Sequence, residues 1–224
     1  MTSSTKWNRL IPAAIILFSV IPVLGGALRL GELGGGAEIT PDNARFFASP
    51  VPVVVHAITV SVYCLLGAFQ FAPGFRRRRP AWHRAAGRVL VLCGLLGALS
   101  GLWMTVFYPK PSDVSALLTG IRLVFGTAWA VFIVLGFAAI RRRDVAGHRA
   151  WMIRGFAIGL GAGTQAVTLT AWLVAVGTPD RLANAVLMLT AWLVNLAVAE
   201  WIIRRQVKPS RATVQVGATL RETR

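Results

Sequence analysis

Six apolar segments, each about as long as a helix that crosses a lipid bilayer, constrain the fold of this 224-residue chain more than any other feature. Apolar residues make up 55% of the chain and charged residues only 14%. Because a backbone in lipid must satisfy its own hydrogen bonds, and no segment alternates like a barrel strand, the segments are predicted to be helices. The chain is therefore expected to be all-α, a polytopic bundle of six transmembrane helices. The predicted spans are residues 8–28, 50–72, 87–108, 115–140, 151–177 and 182–203.

An arginine-rich motif occurs twice. It reads RRRRPAWHRAAGR at 76–88 and RRRDVAGHRAWMIR at 141–154, which places His83 and His148 at equivalent positions. Each copy leads into an apolar segment with glycines on one helical face. Spans two and three, and again four and five, are thus expected to form parallel repeats that make a central four-helix core, with spans one and six on its flanks.

The net charge of +16 is unevenly distributed along the chain. Nineteen Lys and Arg residues lie before span one, in the two motifs or after span six, whereas four lie in the other connections. This distribution predicts a plasma-membrane (inner-membrane) protein with both motifs and both termini in the cytoplasm, facing anionic lipids rather than nucleic acid. Residues 1–205 would form the membrane domain, and residues 206–224 a disordered basic tail. Retention of span one is favoured over its cleavage as a signal peptide.

The paired histidines suggest one specific chemistry. His83 and His148 would approach each other near the cytoplasmic surface and could supply the two axial ligands of a haem b iron. Four arginines could pair with the propionates, and the glycine faces would admit the flat macrocycle. These arginines are Arg84, Arg88, Arg149 and Arg154.

Simpler interpretations stand beside this one. Glycines at helical spacing commonly serve close packing of helices in lipid, and a His-Arg pair at the end of a span is an ordinary interfacial anchor. The arginines could instead hold an anion such as a lipid phosphate, a quinone headgroup or a small acidic solute. At the opposite end, Arg122 is expected to snorkel to the surface or to contact His56 or Asp113. Glu200 is expected to pair with Arg204, and Cys64 and Cys93 to be free thiols.

Short motifs also resemble a bacterial family of predicted membrane proteins known as domain of unknown function 2306. The resemblance covers roughly residues 45–170, and it implies a polytopic membrane protein without an established activity. Members of that family often carry an arginine further along the fifth span, where the nearest candidate in this chain is Gln165. The residues that carry the resemblance are His56, Gly67 to Phe71 including Gln70, His83-Arg84 with Gly87-Arg88, and His148-Arg149 with Trp151-Met152 and Arg154.

Three functions follow as hypotheses from these patterns. The first is a membrane redox protein linked to haem b or quinone, with an electron-transfer partner and a cytoplasmic-side His/Arg site. The second is a binding or accessory protein without catalysis, and the third is a transporter of a small or lipidic anion. The sequence assigns no catalytic residue and indicates no oligomeric state.

Overall fold

The computed structural model describes residues 3–207, and the regular elements in that range are all helical. Six helical segments are long and apolar enough to cross a membrane, which confirms the predicted all-α, six-span fold. The helices are α1 (Ser3–Gly34), α2 (Ala44–Ala48), α3 (Pro50–Ala68), α4 (Pro73–Arg78), α5 (Pro80–Phe107), α6 (Ala116–Arg141), α7 (Val145–Gly159), α8 (Gly161–Ala175) and α9 (Arg181–Val207), with a 3₁₀ turn at Phe69–Phe71.

Several helix boundaries differ from the predicted spans, and α7, for example, begins at Val145 rather than at residue 151. Helix α1 continues to Gly34, beyond the predicted end at residue 28. Helix α5 begins at Pro80 rather than at residue 87, because proline is well suited to the first helical position, where its missing N–H is not needed. His83 therefore lies in the first turn of α5. The predicted tail at 206–224 lies almost entirely outside the described residues.

The most extensive contacts join α3 to α5 and α6 to α7. Helix α5 also packs on α6, α1 packs on α3, and α9 packs on α6, α7 and α8. The centre of the bundle is filled by large apolar side chains with almost no exposed surface. These are Tyr63 (1% exposed), Leu118 and Ile133 (both 0%) and Trp129 (6%).

The fifth span is broken at Leu160, a feature that the sequence analysis did not predict. Gly159, Gly161 and Gly163 surround the break, and glycine is the weakest helix former after proline. The Leu160 N–H still donates to the Phe156 carbonyl (2.9 Å), but the Leu160 carbonyl accepts from Gly163 in a tighter turn (3.0 Å). Helix α7 packs on α6, whereas α8 makes its extended contacts with α1 and α9. The break therefore directs α8 away from α6.

Because consecutive spans run in opposite directions, the connections between them alternate between the two ends of the bundle. We call the end that carries residues 72–88 and 141–154 the arginine end. We call the other end, which carries residues 35–49, 108–115 and 176–180, the loop end. A short helix, α2, lies at the loop end.

Candidate functional site

A cavity of about 620 Å³ opens into the loop end of the bundle, in the half where α8 diverges from α6. Its volume falls within the range of pockets that bind small molecules. Most of its wall is contributed by α3, α5, α6, α8 and α9, with further residues from α1, α2 and α7. The polar and aromatic residues that line it include Asp42, Arg45, His56, Lys110, Asp113, Arg122, Trp129, Gln165 and Trp192.

Arg122 lies in the second turn of α6 and lines this cavity. It is only partly exposed, and its Nη2 lies 3.7 Å from the Met188 sulfur, a weak acceptor. Asp113 attracts it electrostatically, but that carboxylate lies 3.4 Å from the Asn184 amide and forms no salt bridge with Arg122. The guanidinium thus faces the cavity that opens at the loop end. Burial without a paired carboxylate leaves its donors available to an anion.

His56 lines the same cavity from α3. Its Nδ1 lies 2.9 Å from the Gly97 carbonyl oxygen and 3.3 Å from the Ser100 hydroxyl. Because a carbonyl only accepts hydrogen bonds, this contact assigns the proton of neutral His56 to Nδ1 and leaves Nε2 as an acceptor. A Cβ at Gly101 would lie 3.1 Å from the ring, so the glycine makes room for the imidazole. His56 and Arg122, which the sequence predicted at the same end of the bundle, both line the cavity.

Gln165 lies in the second turn of α8 and is only 8% exposed. Its amide Nε2 is buried and has no hydrogen-bond partner among residues 3–207. At the break one turn before it, the N–H groups of Gly163 and Thr164 both donate to the Leu160 carbonyl (3.0 and 3.4 Å). A buried amide without a partner therefore lies at the wall of the cavity. The resemblance pointed to this residue, but only the spacing of the surrounding glycines hinted at the break.

The lining of the cavity is electropositive. Four cations line it (Arg29, Arg45, Lys110 and Arg122), against two carboxylates (Asp42 and Asp113), and Arg29 is also paired with Glu32. At the rim, the guanidinium groups of Arg29 and Arg45 lie over the Phe46 ring, 4.3 and 4.6 Å from its centroid. Desolvation raises the pKa of the Tyr108 hydroxyl, which donates to the Ser49 carbonyl (2.6 Å) and stays protonated. The cavity is thus suited to a ligand with a negatively charged group.

The site predicted from the repeated motif lies at the arginine end. His83 is close enough to His148, Arg76 and Arg84 to interact with them electrostatically. The two histidines differ, because Nδ1 of His148 is 2.8 Å from the Gly136 carbonyl whereas the buried Nδ1 of His83 has no hydrogen-bond partner among the described residues. The amide Nε2 of Gln70 is buried and unpartnered in the same way. Three of the predicted arginines, Arg84, Arg88 and Arg149, are exposed.

The glycines about three turns beyond the two histidines are packed against protein side chains. A Cβ at Gly94 would lie 2.5 Å from Ile133, and one at Gly159 would lie 2.7 Å from Tyr63. The macrocycle of a haem could therefore not extend along these parts of the two faces, whereas a Cβ at Gly87, one turn beyond His83, would meet no atom within 4 Å. Arg154, expected at a propionate, instead forms a salt bridge with Glu200, through Nε–Oε1 (2.5 Å) and Nη2–Oε2 (3.0 Å).

This salt bridge corrects the expected pairing of Glu200 with Arg204 and predicts a measurable coupling. It joins α7 to α9 in a bidentate geometry, which orients the guanidinium better than a pairing along one helix does. We expect a double-mutant cycle with Arg154→Met and Glu200→Gln to give a coupling energy of about 1 kcal/mol in detergent. The same cycle with Arg204→Met should give almost none. An equal coupling of Glu200 to Arg204 would contradict this assignment.

Comparisons with known proteins are consistent with the architecture. A family model described as "Predicted membrane protein (DUF2306)" matches residues 53–203. This region includes the cavity residues on α5, α6, α8 and most of α3, together with both copies of the arginine motif. No curated protein and no solved structure matches the chain. The match covers well over half of the sequence, and the chain therefore belongs to the DUF2306 family of predicted membrane proteins.

Proposed function

We propose that this protein is a membrane binding protein whose loop-end cavity holds the anionic headgroup of an amphiphile. The observation that carries the proposal is the unpaired guanidinium of Arg122 in a cavity of about 620 Å³. Arginine donors match the geometry of carboxylate and phosphate oxygens. The buried amide of Gln165, which has no hydrogen-bond partner among residues 3–207, lies at the same wall. The excess of cations in the lining also favours an anion over a neutral ligand.

Fluorescence quenching tests this proposal directly, because Trp129 and Trp192 line the cavity. Palmitate with bromine on its chain should quench tryptophan emission saturably in detergent. Unlabelled palmitate should compete with it, whereas hexadecanol, which has the same chain without the charge, should not. Trp192→Phe should remove part of the saturable signal. Equal competition by the alcohol would show that the cavity does not select an anion and would contradict the proposal.

A second candidate function is the binding of a quinone, which is one version of the redox hypothesis. Quinone carbonyls are hydrogen-bond acceptors, and the donors of Arg122 and Gln165 suit them. A neutral quinone differs from a fatty carboxylate in its response to salt, because only the carboxylate is attracted as an ion. Binding of decylubiquinone that palmitate does not displace, with little dependence on salt, would favour this candidate. Transport of an anion would require solute uptake into proteoliposomes that depends on Arg122.

We also propose an orientation in the plasma membrane. The arginine end would face the cytoplasm and its anionic lipids, and the cavity would open to the outside. The excess of arginine at residues 76–88 and 141–154 supports this orientation.

Thiol labelling in intact cells tests the orientation. Replacing Cys64 and Cys93 with alanine gives a background without thiols, since these are the two cysteines of the chain. Lys110→Cys should then react with a membrane-impermeant maleimide in intact cells, because Lys110 is exposed in the loop that follows α5. Arg142→Cys should react only after permeabilisation. The reverse pattern of labelling would place the cavity on the cytoplasmic side.

A further inference from the structure

A second cavity, of about 260 Å³, adjoins the first one between α1, α3 and the break in the fifth span. We call it the side groove. The two cavities share a stretch of wall, so the groove lies directly beside the larger cavity. The shared residues are Arg29, His56, Val60, Gly159 and Ala162.

The path of α1 explains why a groove exists here. A Cβ at Gly26 would lie 3.4 Å from that of Ala57, so small residues bring α1 close to α3. Pro22 has no N–H to donate to the carbonyl of Phe18, which leaves that carbonyl without its usual helical partner. The freed carbonyl packs directly against Gly163 of α8. Helix α1 is thus held against α3 on one side and α8 on the other, and the groove runs along these contacts.

The surface of the groove is mainly apolar. The Ser19 hydroxyl donates to the Ile15 carbonyl within its own helix (2.8 Å), and the Cys64 thiol lies 3.7 Å from the Gly159 carbonyl. These polar groups are therefore occupied by the protein itself. Phe18, at the wall of the groove, is 45% exposed on the side of α1 that faces the surroundings of the bundle. An apolar groove with such an opening is suited to a hydrocarbon chain rather than to water.

From this adjacency we infer that the two cavities hold one ligand, a single-chain amphiphile with its anionic headgroup near Arg122 and its chain in the side groove. The inference rests on the proposed function and names the ligand class more closely. The chain passes His56 and the break at Leu160, where the two cavities meet. At about 260 Å³, the groove has room for one hydrocarbon chain rather than for two. A single-chain lipid from the surrounding leaflet has both required parts.

A chain-length experiment separates the two parts of the site. Ser61 lines the side groove but not the larger cavity, so Ser61→Phe fills the groove and leaves the headgroup site intact. We expect this variant to bind palmitate about tenfold more weakly, because the chain loses its packing contacts in the groove. Its affinity for octanoate, whose chain is too short to need the groove, should be unchanged. Ser61→Ala removes the hydroxyl without filling space, and it should bind both ligands like the wild type.

The outcomes distinguish failure of this inference from failure of the proposed function. Octanoate binding by Ser61→Phe also shows that the variant is folded. If Ser61→Phe binds palmitate and octanoate as the wild type does, the inference about the groove is wrong while the headgroup site stands. If the wild type binds neither octanoate nor palmitate, the proposed function itself fails. Should Ser61→Phe not fold, Val23→Trp at the α1 wall provides the same comparison.

Discussion

Gly94→Ala and Gly159→Ala are each expected to lower the free energy of unfolding by about 1 to 3 kcal/mol, the usual range for overpacking a filled core. The new methyl group at Gly94 would lie 2.5 Å from Ile133 and 2.7 Å from Tyr63, and the one at Gly159 would lie 2.7 Å from Tyr63 and 3.1 Å from Trp129. These neighbours are at most 6% exposed and have no free space into which to move. Unfolding by sodium dodecyl sulfate in mixed micelles, followed by tryptophan fluorescence, would measure the change.

Gly87→Ala is the matched control on the same helix. A Cβ at Gly87 would meet no atom within 4 Å, so this substitution adds the same methyl group without a clash. It should leave stability unchanged or raise it by about 0.5 to 1 kcal/mol, since alanine loses less backbone entropy than glycine in a helix. If Gly94→Ala proved as stable as Gly87→Ala, the side chains would not fill the glycine faces. The space that a macrocycle needs would then be open again.

Arg122→Gln is expected to weaken palmitate binding by about tenfold to a hundredfold. A hydrogen bond between a charged donor and a carboxylate contributes about 1.5 to 3 kcal/mol when its partner is removed from water. The shorter amide retains some hydrogen-bonding capacity, but it has no charge and does not reach as far. Binding of palmitate by purified protein, measured calorimetrically at low and high salt, would give the difference. The salt dependence should decrease along with the affinity.

Arg181→Gln provides the comparison for that measurement. Arg181 begins α9 at the loop end and does not line the cavity. Its replacement by glutamine removes the same charge as Arg122→Gln does. Loss of the Arg181 charge should change palmitate affinity by less than about twofold, because water and salt screen an exposed charge that lies outside the cavity. Equal losses in Arg122→Gln and Arg181→Gln would mean that palmitate responds to the overall field of the loop end. No loss in Arg122→Gln would remove that guanidinium from the site.

Much of the fold follows from sequence because span length and arginine placement are local properties. The six helices and the equivalent positions of His83 and His148 were predictable in this way. What fills the glycine faces was not predictable, because glycines that make room for a ligand and glycines that make room for the Tyr63 side chain have the same spacing. Only tertiary packing shows that Tyr63 occupies the space beside both Gly94 and Gly159.

The loop-end cavity was harder to predict for a similar reason. His56 and Arg122 were recognisable as polar residues at one depth, but nothing in the sequence showed that their side chains meet at one cavity. The break at Leu160 depends on how α8 packs against α1 and α9, which are distant in sequence. Gln165 could be recognised as a site residue only from the structure, in which it lines the cavity beyond that break. The sequence around each of these residues therefore gave almost no indication that they line one cavity.

Photoaffinity mapping tests the central claim most directly, which is that an anionic headgroup binds in the cavity opened by the break in the fifth span. A palmitate with a diazirine beside its carboxylate would be cross-linked to the purified protein, and the labelled peptides identified by mass spectrometry. We predict adducts in the cavity wall, around Thr119 to Gly126 of α6 and Ile158 to Gln165 of α7 and α8, that decrease strongly in Arg122→Gln. Adducts on outward-facing residues such as Val131 and Val134, unchanged in that variant, would contradict the claim.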